Sequence, residues 1–279
     1  MTILHFVLVV FGGSMVAGLL GSLTGLGGGV VIVPMLTLML GVDLRYAIGA
    51  SLISVIATSS GAASAYVREG FTNIRIGMFL ELATTIGAIC GAFLASVLNP
   101  NTIGLIFGVV LIFSAAFSLK GKGDAAVAEG GVCPWPALQL QGSYPGKDKQ
   151  PIFYAASRPG FGFGLMGIAG VLSGLLGIGS GAVKVLAMDQ CMKLPFKVST
   201  TTSNFMIGVT AAASAGVYLR KGYIDPVLSM PVMLGVLAGA LLGAKLLVRA
   251  KTNWLRWLFA GVVAVMAVQM ITKSLAGKM

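Results

Sequence analysis

The stretch Gly21-Ser-Leu-Thr-Gly-Leu-Gly-Gly-Gly-Val30 places five glycines in ten residues, between two strongly apolar runs. A close variant, Ser173-Gly-Leu-Leu-Gly-Ile-Gly-Ser-Gly-Ala182, occurs again in the second half of the chain. Glycine disfavours a helix interior and permits the backbone angles that a chain interruption requires. The two stretches therefore predict a broken helix, or a re-entrant segment, at two matching places in the chain.

The composition around these stretches is typical of a helical membrane protein. The chain has 279 residues, of which 57% are hydrophobic and 10% charged, and its mean hydropathy is +0.95. Soluble domains contain about 25% charged residues, so this chain could not cover a soluble globule. Apolar runs near the length of about 20 residues that crosses a bilayer lie at 3–23, 46–66, 74–98, 101–119, 199–219, 224–248 and 254–272. We predict an all-α polytopic membrane protein.

The chain also repeats itself: an offset of 152 residues aligns 18–94 with 170–246 without a gap. Glycine, serine, tyrosine and arginine stay in register, as in Tyr-x-Arg-x-Gly at 66–70 and 218–222. Shared apolar character alone would not produce this register. We therefore predict two homologous transmembrane repeats, 1–119 and 159–279, joined by a polar central loop, 120–158. Each repeat contains the glycine break and about three longer spans.

The repeats are predicted to be inverted relative to each other. A helix and the short segment after its break return the chain to the side where it began, and three further spans make the number of crossings odd. Lys and Arg are more frequent on the side of the central loop. The positive-inside rule then places that loop in the cytoplasm and both termini outside the cell membrane.

Other classes of protein are disfavoured. The net charge of +11 would suggest a nucleic-acid partner in a soluble chain, but the basic residues lie mostly in short segments between apolar runs. Cys90, Cys133 and Cys191 form neither a disulfide framework nor a metal-binding spacing. A Ser–His–Asp set, a histidine cluster and a nucleotide-binding lysine motif are all missing from the sequence. We expect no enzyme activity, no catalytic residue, no metal and no cofactor.

The glycine breaks are the first candidate site. Irregular backbone at membrane depth survives only inside protein or along a wet cavity, and the amide groups that open the next helix favour an anion. The predicted half-sites, with Ser51 beside them, comprise Gly25, Gly27, Gly28, Gly29, Gly177, Gly179, Ser180 and Gly181. Close helix packing is the alternative reading, and it applies to Gly87, Gly91, Gly239 and Gly243.

Polar residues near the second break extend the candidate site. Lys184 stands where the first repeat has Ile32; it either binds an anionic substrate, pairs with Asp189 or reaches the interface. The run Ser199-Thr-Thr-Thr-Ser-Asn204 is expected to provide one or two helix N-caps. Its remaining members would donate hydrogen bonds to anion oxygens, with candidates Ser199, Thr200, Thr201, Ser203 and Asn204.

Four charged residues are candidates for coupling or gating. Glu81, which aligns with Met233, is either a proton-coupling carboxylate or a shallow or paired residue. Asp189 follows Lys184 on the same segment. Arg68 and Arg220 occupy the same place in both repeats and are either interfacial anchors or parts of a gate.

At these residues the chain resembles the TauE/SafE family of sulfite exporter-like membrane permeases. The resemblance is carried by Gly25–Pro34, Leu172–Gly181 and Lys193–Asn204. It implies transport of sulfur-containing anions such as sulfite, sulfonates or sulfoacetate across the cytoplasmic membrane, as export. The second half departs from the motif at Ser180 and Leu186, where the first half has Gly28 and Pro34, so the two half-sites are unequal.

The function predicted from these observations is a proton-coupled secondary transporter that moves a small anion by alternating access at the repeat interface. An anion channel and a membrane-embedded scaffold or partner subunit are the alternatives. The expected partners are the anion and the lipid bilayer, with homo-oligomer formation left open.

Overall fold

The computed structural model describes residues 3–24, 28–68, 72–119, 138, 140–145, 151–247 and 252–277. Within these ranges the chain is mostly helical, as predicted. The helices are α1 (Ile3–Thr24), α2 (Gly29–Pro34), α3 (Leu44–Arg68), α4 (Ile74–Val97), α5 (Pro100–Leu119), α6 (Pro159–Leu176), α7 (Gly181–Leu186), α8 (Phe196–Arg220), α9 (Pro226–Leu247) and α10 (Thr252–Leu275). By length and hydropathy, stretches of α1, α4 and α6 can cross a membrane.

Two short helices separate the long ones. α2 and α7 each continue into a π-helical turn, at Met35–Met39 and Ala187–Cys191 respectively. At about 1.5 Å per residue, α2 and its π turn together extend about 16 Å, half of a hydrocarbon core of about 30 Å. A segment of this length is too short to cross a bilayer by itself.

The order of elements before the central segment recurs after it. α2, its π turn and α3 begin 152 residues before α7, its π turn and α8. The hydrogen bond that closes each π turn recurs as well: Val42 N donates to Leu36 O and Leu194 N to Met188 O, both at 3.0 Å. The second residue after each π turn adopts a left-handed backbone, with φ 66° at Gly41 and 53° at Lys193. Matching positions of the two halves thus share one local backbone plan.

The long helices pack between the two halves of the chain. α1 packs on α9, α4 on α6, α3 on α8 and α5 on α10. Each of these pairs joins a helix that precedes the central segment to one that follows it. The contact between α1 and α9 is the counterpart of the contact between α6 and α4, because α1 corresponds to α6 and α9 to α4 in the order of elements.

Glycines let two of these pairs meet backbone to backbone. A Cβ at Gly87 or Gly91 of α4 would overlap the carbonyl oxygen of Gly167 or Val171 of α6. At Gly239 of α9 it would overlap Met15 O of α1. The packing role predicted for Gly87, Gly91 and Gly239 is confirmed; Gly243 lies outside the contacts that the structure describes.

The central segment contains regular structure that the sequence did not predict. Strands β1 (Gln141–Pro145) and β2 (Pro151–Ala155) form an antiparallel hairpin in which Gln141 pairs with Ala155. The all-α prediction is therefore wrong for this segment. The hairpin forms because one face finds a partner: Leu140, Tyr154 and Ala156 are buried in a cluster with Ile76 of α4 and Met192.

The hairpin is tied to the bundle by hydrogen bonds at its base. Asn73, which caps α4 through a bond from Ile76 N, also donates through Nδ2 to Tyr154 Oη at 3.0 Å. Ser157 donates to Met192 O through both its amide and its hydroxyl. The hairpin thus covers the end of the bundle at which α4 begins and the π turn of α7 finishes.

Gly174→Ala should lower the thermal-unfolding midpoint of the detergent-solubilised protein by several degrees. A methyl group there overlaps Ala88 O, so α6 and α4 must separate. Gly164→Ala, in the same helix but with nothing within 4 Å of its Cβ, should leave the midpoint unchanged or raise it, since Ala favours a helix by about 1 kcal/mol over Gly. Equal effects of the two substitutions would contradict backbone-to-backbone packing.

Candidate functional site

The second glycine stretch interrupts the helix, as predicted. α6 ends at Leu176 and α7 begins at Gly181. Gly177 and Gly179 adopt left-handed φ values of 68° and 71°, and Ser180 has φ 43°. A non-glycine residue in this region is uncommon; the Ser180 hydroxyl donates to Ala169 O at 2.6 Å, which ties the strained residue back to α6.

The first stretch separates α1, which ends at Thr24, from α2, which begins at Gly29. Gly25 and Gly27 lie outside the described residues. Gly28 has a right-handed backbone, with φ −64°, whereas its counterpart Ser180 is left-handed. The inequality that the sequence predicted between the two half-sites therefore reaches the backbone.

The two breaks lie side by side against α3. A Cβ built on Gly29 would lie 3.0 Å from Gly177 O and 2.7 Å from Ser51 Oγ. Ser51 in turn donates to Gly177 O at 2.8 Å. A Cβ on Gly177 would lie 2.7 Å from Ile48 Cγ2. One helix of the first half therefore touches both interruptions.

Three serine hydroxyls predicted as anion donors are bonded to backbone carbonyls in this conformation. Besides Ser51 and Ser180, Ser203 donates to Gly181 O at 3.4 Å. Where a helix is interrupted, carbonyl groups at the break lose their helical donors. At membrane depth such groups must be satisfied by protein. These serines hold the second break in place, and a role in anion binding stays a prediction.

The polar run 199–204 lies inside α8 instead of capping it. The helix begins at Phe196 with Pro195 as its N-cap residue, and Ser199 N already donates to Pro195 O. The expectation of one or two N-caps among Ser199–Asn204 is therefore wrong. Proline has a fixed φ and starts a helix readily, so the helix begins one turn before the hydroxyl run.

Members of this run point to different partners. Thr201 donates to Val198 O in its own helix, and Thr202 accepts from Asn73 N at the start of α4. Ser199 Oγ is buried and has no hydrogen-bond partner in the structure. Thr200 and Asn204 are half-buried. The run contributes one buried hydroxyl with unused capacity and a link to α4.

The charged centre of the molecule is a chain of hydrogen bonds between Lys184, Thr210 and Glu81, which we call the Lys–Thr–Glu chain. Lys184 is fully buried, and its Nζ donates to Thr210 Oγ1 at 2.5 Å. Thr210 donates to Glu81 Oε1 at 2.7 Å, and Thr85 donates to the same oxygen at 3.2 Å. A hydroxyl both donates and accepts, so Thr210 connects an ammonium on α7 to a carboxylate on α4.

This geometry narrows the sequence alternatives for Lys184 and Glu81, while substrate binding and proton coupling stay predictions. Lys184 has no exposed surface, so it does not reach the interface. Asp189, half-buried on the following π turn, accepts from Gln190 Nε2 at 2.8 Å, while Lys184 is bonded to Thr210. Glu81 is 6% exposed and paired instead of shallow, and its Oε2 is buried without a hydrogen-bond partner.

Of the two candidate arginines, Arg220 does not join this centre. Arg220 is exposed at the last residue of α8. Arg68 is the last residue of α3, and its side chain lies outside the description. Whether these residues are anchors or parts of a gate stays a prediction.

The sequence is similar to those of known membrane proteins. Residues 10–270 match the family model described as "Sulfite exporter TauE/SafE". The chain belongs to the TauE/SafE family. No solved structure matches it.

Relatives of this TauE/SafE chain occur in bacteria and archaea, and each is named as a probable membrane transporter protein. YunE of Bacillus subtilis (strain 168) is 28% identical over 95% of this chain and 96% of its own length. A protein of Xylella fastidiosa (strain 9a5c) is 24% identical over 99% and 98%. MJ0441 of Methanocaldococcus jannaschii is 23% identical over 92% of each chain. Together with its long apolar helices, family membership makes this chain a membrane transporter.

The Lys–Thr–Glu chain has no second copy at the positions related to it by the internal duplication of this TauE/SafE protein. The residues at the corresponding positions are Ile32, Thr58 and Met233. Thr58 is kept, but it donates to Ser54 O of its own helix at 3.0 Å. The sequence indicated Lys184 and Glu81 separately and missed Thr210 as their connection. The available signal was a threonine held in register in both repeats within an apolar helix.

Thr210→Val should destabilise the protein because Lys184 and Glu81 lose the hydroxyl that joins them. Leaving buried polar groups unsatisfied costs about 1–3 kcal/mol, and more for charged groups, so the thermal-unfolding midpoint should fall by several degrees. Thr58→Val is the matched control, since it removes only a bond within one helix. A midpoint that falls equally in both variants would argue against the bridging role of Thr210.

Proposed function

We propose that this TauE/SafE protein is a secondary transporter for a small anion, with sulfite, a sulfonate or a related sulfur-containing organic anion as its cargo. Lys184 is the cation that holds the anion. The observation that carries the proposal is a fully buried ammonium three residues beyond a glycine break, joined to its counter-charge through a hydroxyl. The description of the family as a sulfite exporter supports the choice of anion.

A cation at this depth needs compensation. Charged groups inside a membrane protein cost several kcal/mol unless they are paired, and they usually mark a substrate or ion pathway. The ammonium has three N–H donors, and the structure describes Thr210 as the acceptor for one of them. An oxyanion with several oxygens can accept the others, and the hydroxyl of Ser203 lies on the same break.

The inverted arrangement of two repeats, 1–119 and 159–279, is part of the proposal. It is supported by the recurring order of elements and by the packing of each half on the other. The central segment, 120–158, would lie in the cytoplasm and both termini outside the cytoplasmic membrane. Association into a homo-oligomer is compatible with this topology.

The parts that move in alternating access would each combine helices from both repeats. α1 with α9, and α4 with α6, meet through glycines whose neighbours are backbone atoms, and such close contacts do not slide easily. We therefore expect two rigid arms, α1–α9 and α4–α6, that tilt around the breaks. Transport is coupled to protons, and the anion is exported when the combined gradient of anion and proton points outward.

Lys184→Met should weaken anion binding in protein that still folds, because the variant lacks the ammonium that holds the anion. The test is saturable counterflow of labelled sulfite and methanesulfonate in proteoliposomes, with the amount of folded protein checked by gel filtration. Lys221→Met, an exposed lysine just after α8, is the control and should transport normally. An unchanged affinity in folded Lys184→Met would remove Lys184 from the site.

The same vesicles separate the proposal from its rivals. Saturable exchange that is accelerated by anion on the opposite side indicates a carrier. An ohmic current indicates a channel. Failure of the reconstituted protein to move any anion from a panel of sulfite, sulfonates and carboxylates would favour a scaffold or partner subunit.

A further inference from the structure

We propose that Glu81 carries the coupling proton and that the protein moves one monovalent anion together with one proton, without net charge. This inference rests on the proposed transport function and specifies its stoichiometry and the charge of its cargo.

The first argument is a count of buried charge. Among the residues whose surroundings the structure describes, the charged side chains that are buried are Lys184 and Glu81. Their charges cancel while the carrier is empty. A monovalent anion on Lys184 would leave one uncompensated negative charge at membrane depth, at a cost of several kcal/mol. Protonation of Glu81 restores a neutral interior.

The second argument is the unequal use of the two carboxylate oxygens. Glu81 Oε1 accepts from Thr210 and Thr85, whereas Oε2 is buried and has no hydrogen-bond partner. When a carboxyl group is protonated, one oxygen carries the O–H and the other remains an acceptor. Oε2 is therefore the oxygen that accepts the proton in this proposal, since Oε1 already accepts hydrogen bonds from two threonines.

The third argument is that Thr210 can change acceptors. Its single O–H lies within reach of Glu81 Oε1 at 2.7 Å and of Met206 O at 2.9 Å. With Glu81 ionised, the hydroxyl donates to the carboxylate and accepts from Lys184. With Glu81 protonated, it can turn to Met206 O, and the hold of the carboxylate on the ammonium is lost. Lys184 is then available to the anion, which couples protonation to loading.

The elements around Glu81 carry other titratable groups. α4 also carries Arg75 and Cys90, α8 carries Lys197, Tyr218 and Arg220, and the segment after α7 carries Asp189 and Cys191. In the described part of the chain, Lys184 is the titratable group that hydrogen bonds connect to Glu81. The side chain of Lys197 lies outside the description.

The stoichiometry selects the cargo by charge. A sulfonate with no other ionised group, or hydrogensulfite, carries one negative charge and meets the requirement. A dianion such as sulfoacetate would leave the loaded interior with one negative charge even after Glu81 is protonated. We therefore expect monovalent sulfonates to be transported and their carboxylated analogues to be rejected.

The test uses the full-length protein in proteoliposomes with methanesulfonate outside and a pH-sensitive dye inside. An electroneutral one-to-one carrier accumulates the anion about tenfold for each pH unit by which the outside is more acidic, since a tenfold ratio corresponds to about 1.4 kcal/mol. Proton and anion should enter in equal amounts. A potassium potential set with valinomycin should not change the accumulation.

Glu81→Gln removes the titrating group and keeps an oxygen that accepts from Thr210. We expect the variant to retain saturable anion exchange and to lose accumulation driven by the pH gradient, together with the accompanying proton entry. Asp225→Asn is the control: it neutralises an exposed acid just before α9 that lies outside the Lys–Thr–Glu chain, and it keeps an oxygen that can accept from Val227 N. Accumulation should be unchanged in this control.

The outcomes separate the two proposals. Saturable transport by the wild-type protein with an unequal proton-to-anion ratio, or with accumulation that follows membrane potential, overturns the coupling inference and leaves the transport function intact. So does pH-driven accumulation that survives in Glu81→Gln. The wild-type measurements test the stoichiometry by themselves, even if Glu81→Gln does not fold, and Glu81→Gln tests which residue carries the proton. Failure of the wild-type protein to transport any anion overturns the transport function itself.

Discussion

Hydrocarbon offers no hydrogen bonds, and the structure depends on meeting this constraint at its two interrupted helices. The second interruption is held by serine hydroxyls from three different elements: Ser51 of α3, Ser203 of α8 and Ser180 within the break itself. The first interruption lies against the same α3. Because Ser51 of the first half bonds a carbonyl of the second interruption, that interruption is completed only when the two halves have come together.

The charged residues follow the same logic. Lys184 and Glu81 lie on opposite halves of the chain and meet through Thr210, which makes their pairing a product of assembly. The positions that correspond to Lys184 and Glu81 hold the apolar residues Ile32 and Met233, and Ile32 is buried. Near-symmetric packing thus surrounds a centre that is chemically one-sided. One buried cation among the described residues is the arrangement that the proposed carrier, which loads one anion at a time, would require.

Local chemistry made much of the fold predictable. Each of the seven apolar runs overlaps one helix and matches its ends to within about three residues. The glycines at 177–181 interrupt the helix where their backbone freedom suggested. The start of α8 was misplaced because a run of hydroxyl residues resembles N-caps, while Pro195 begins the helix earlier. The hairpin was missed because its strands become stable through burial of Tyr154 against α4 and the π turn of α7. The connection through Thr210 was missed because it joins residues that are distant in sequence.

Packing across the halves has a consequence for biogenesis. α1 is synthesised first, yet the backbone that its glycine face requires belongs to α9, where Gly18 meets Val236 and Met15 meets Gly239. At roughly 5–20 residues per second, the ribosome needs tens of seconds to deliver that partner. During this interval α1 has only lipid or an insertion factor against its small residues. The contact between α1 and α9 therefore closes late, after all the helices between them have been synthesised.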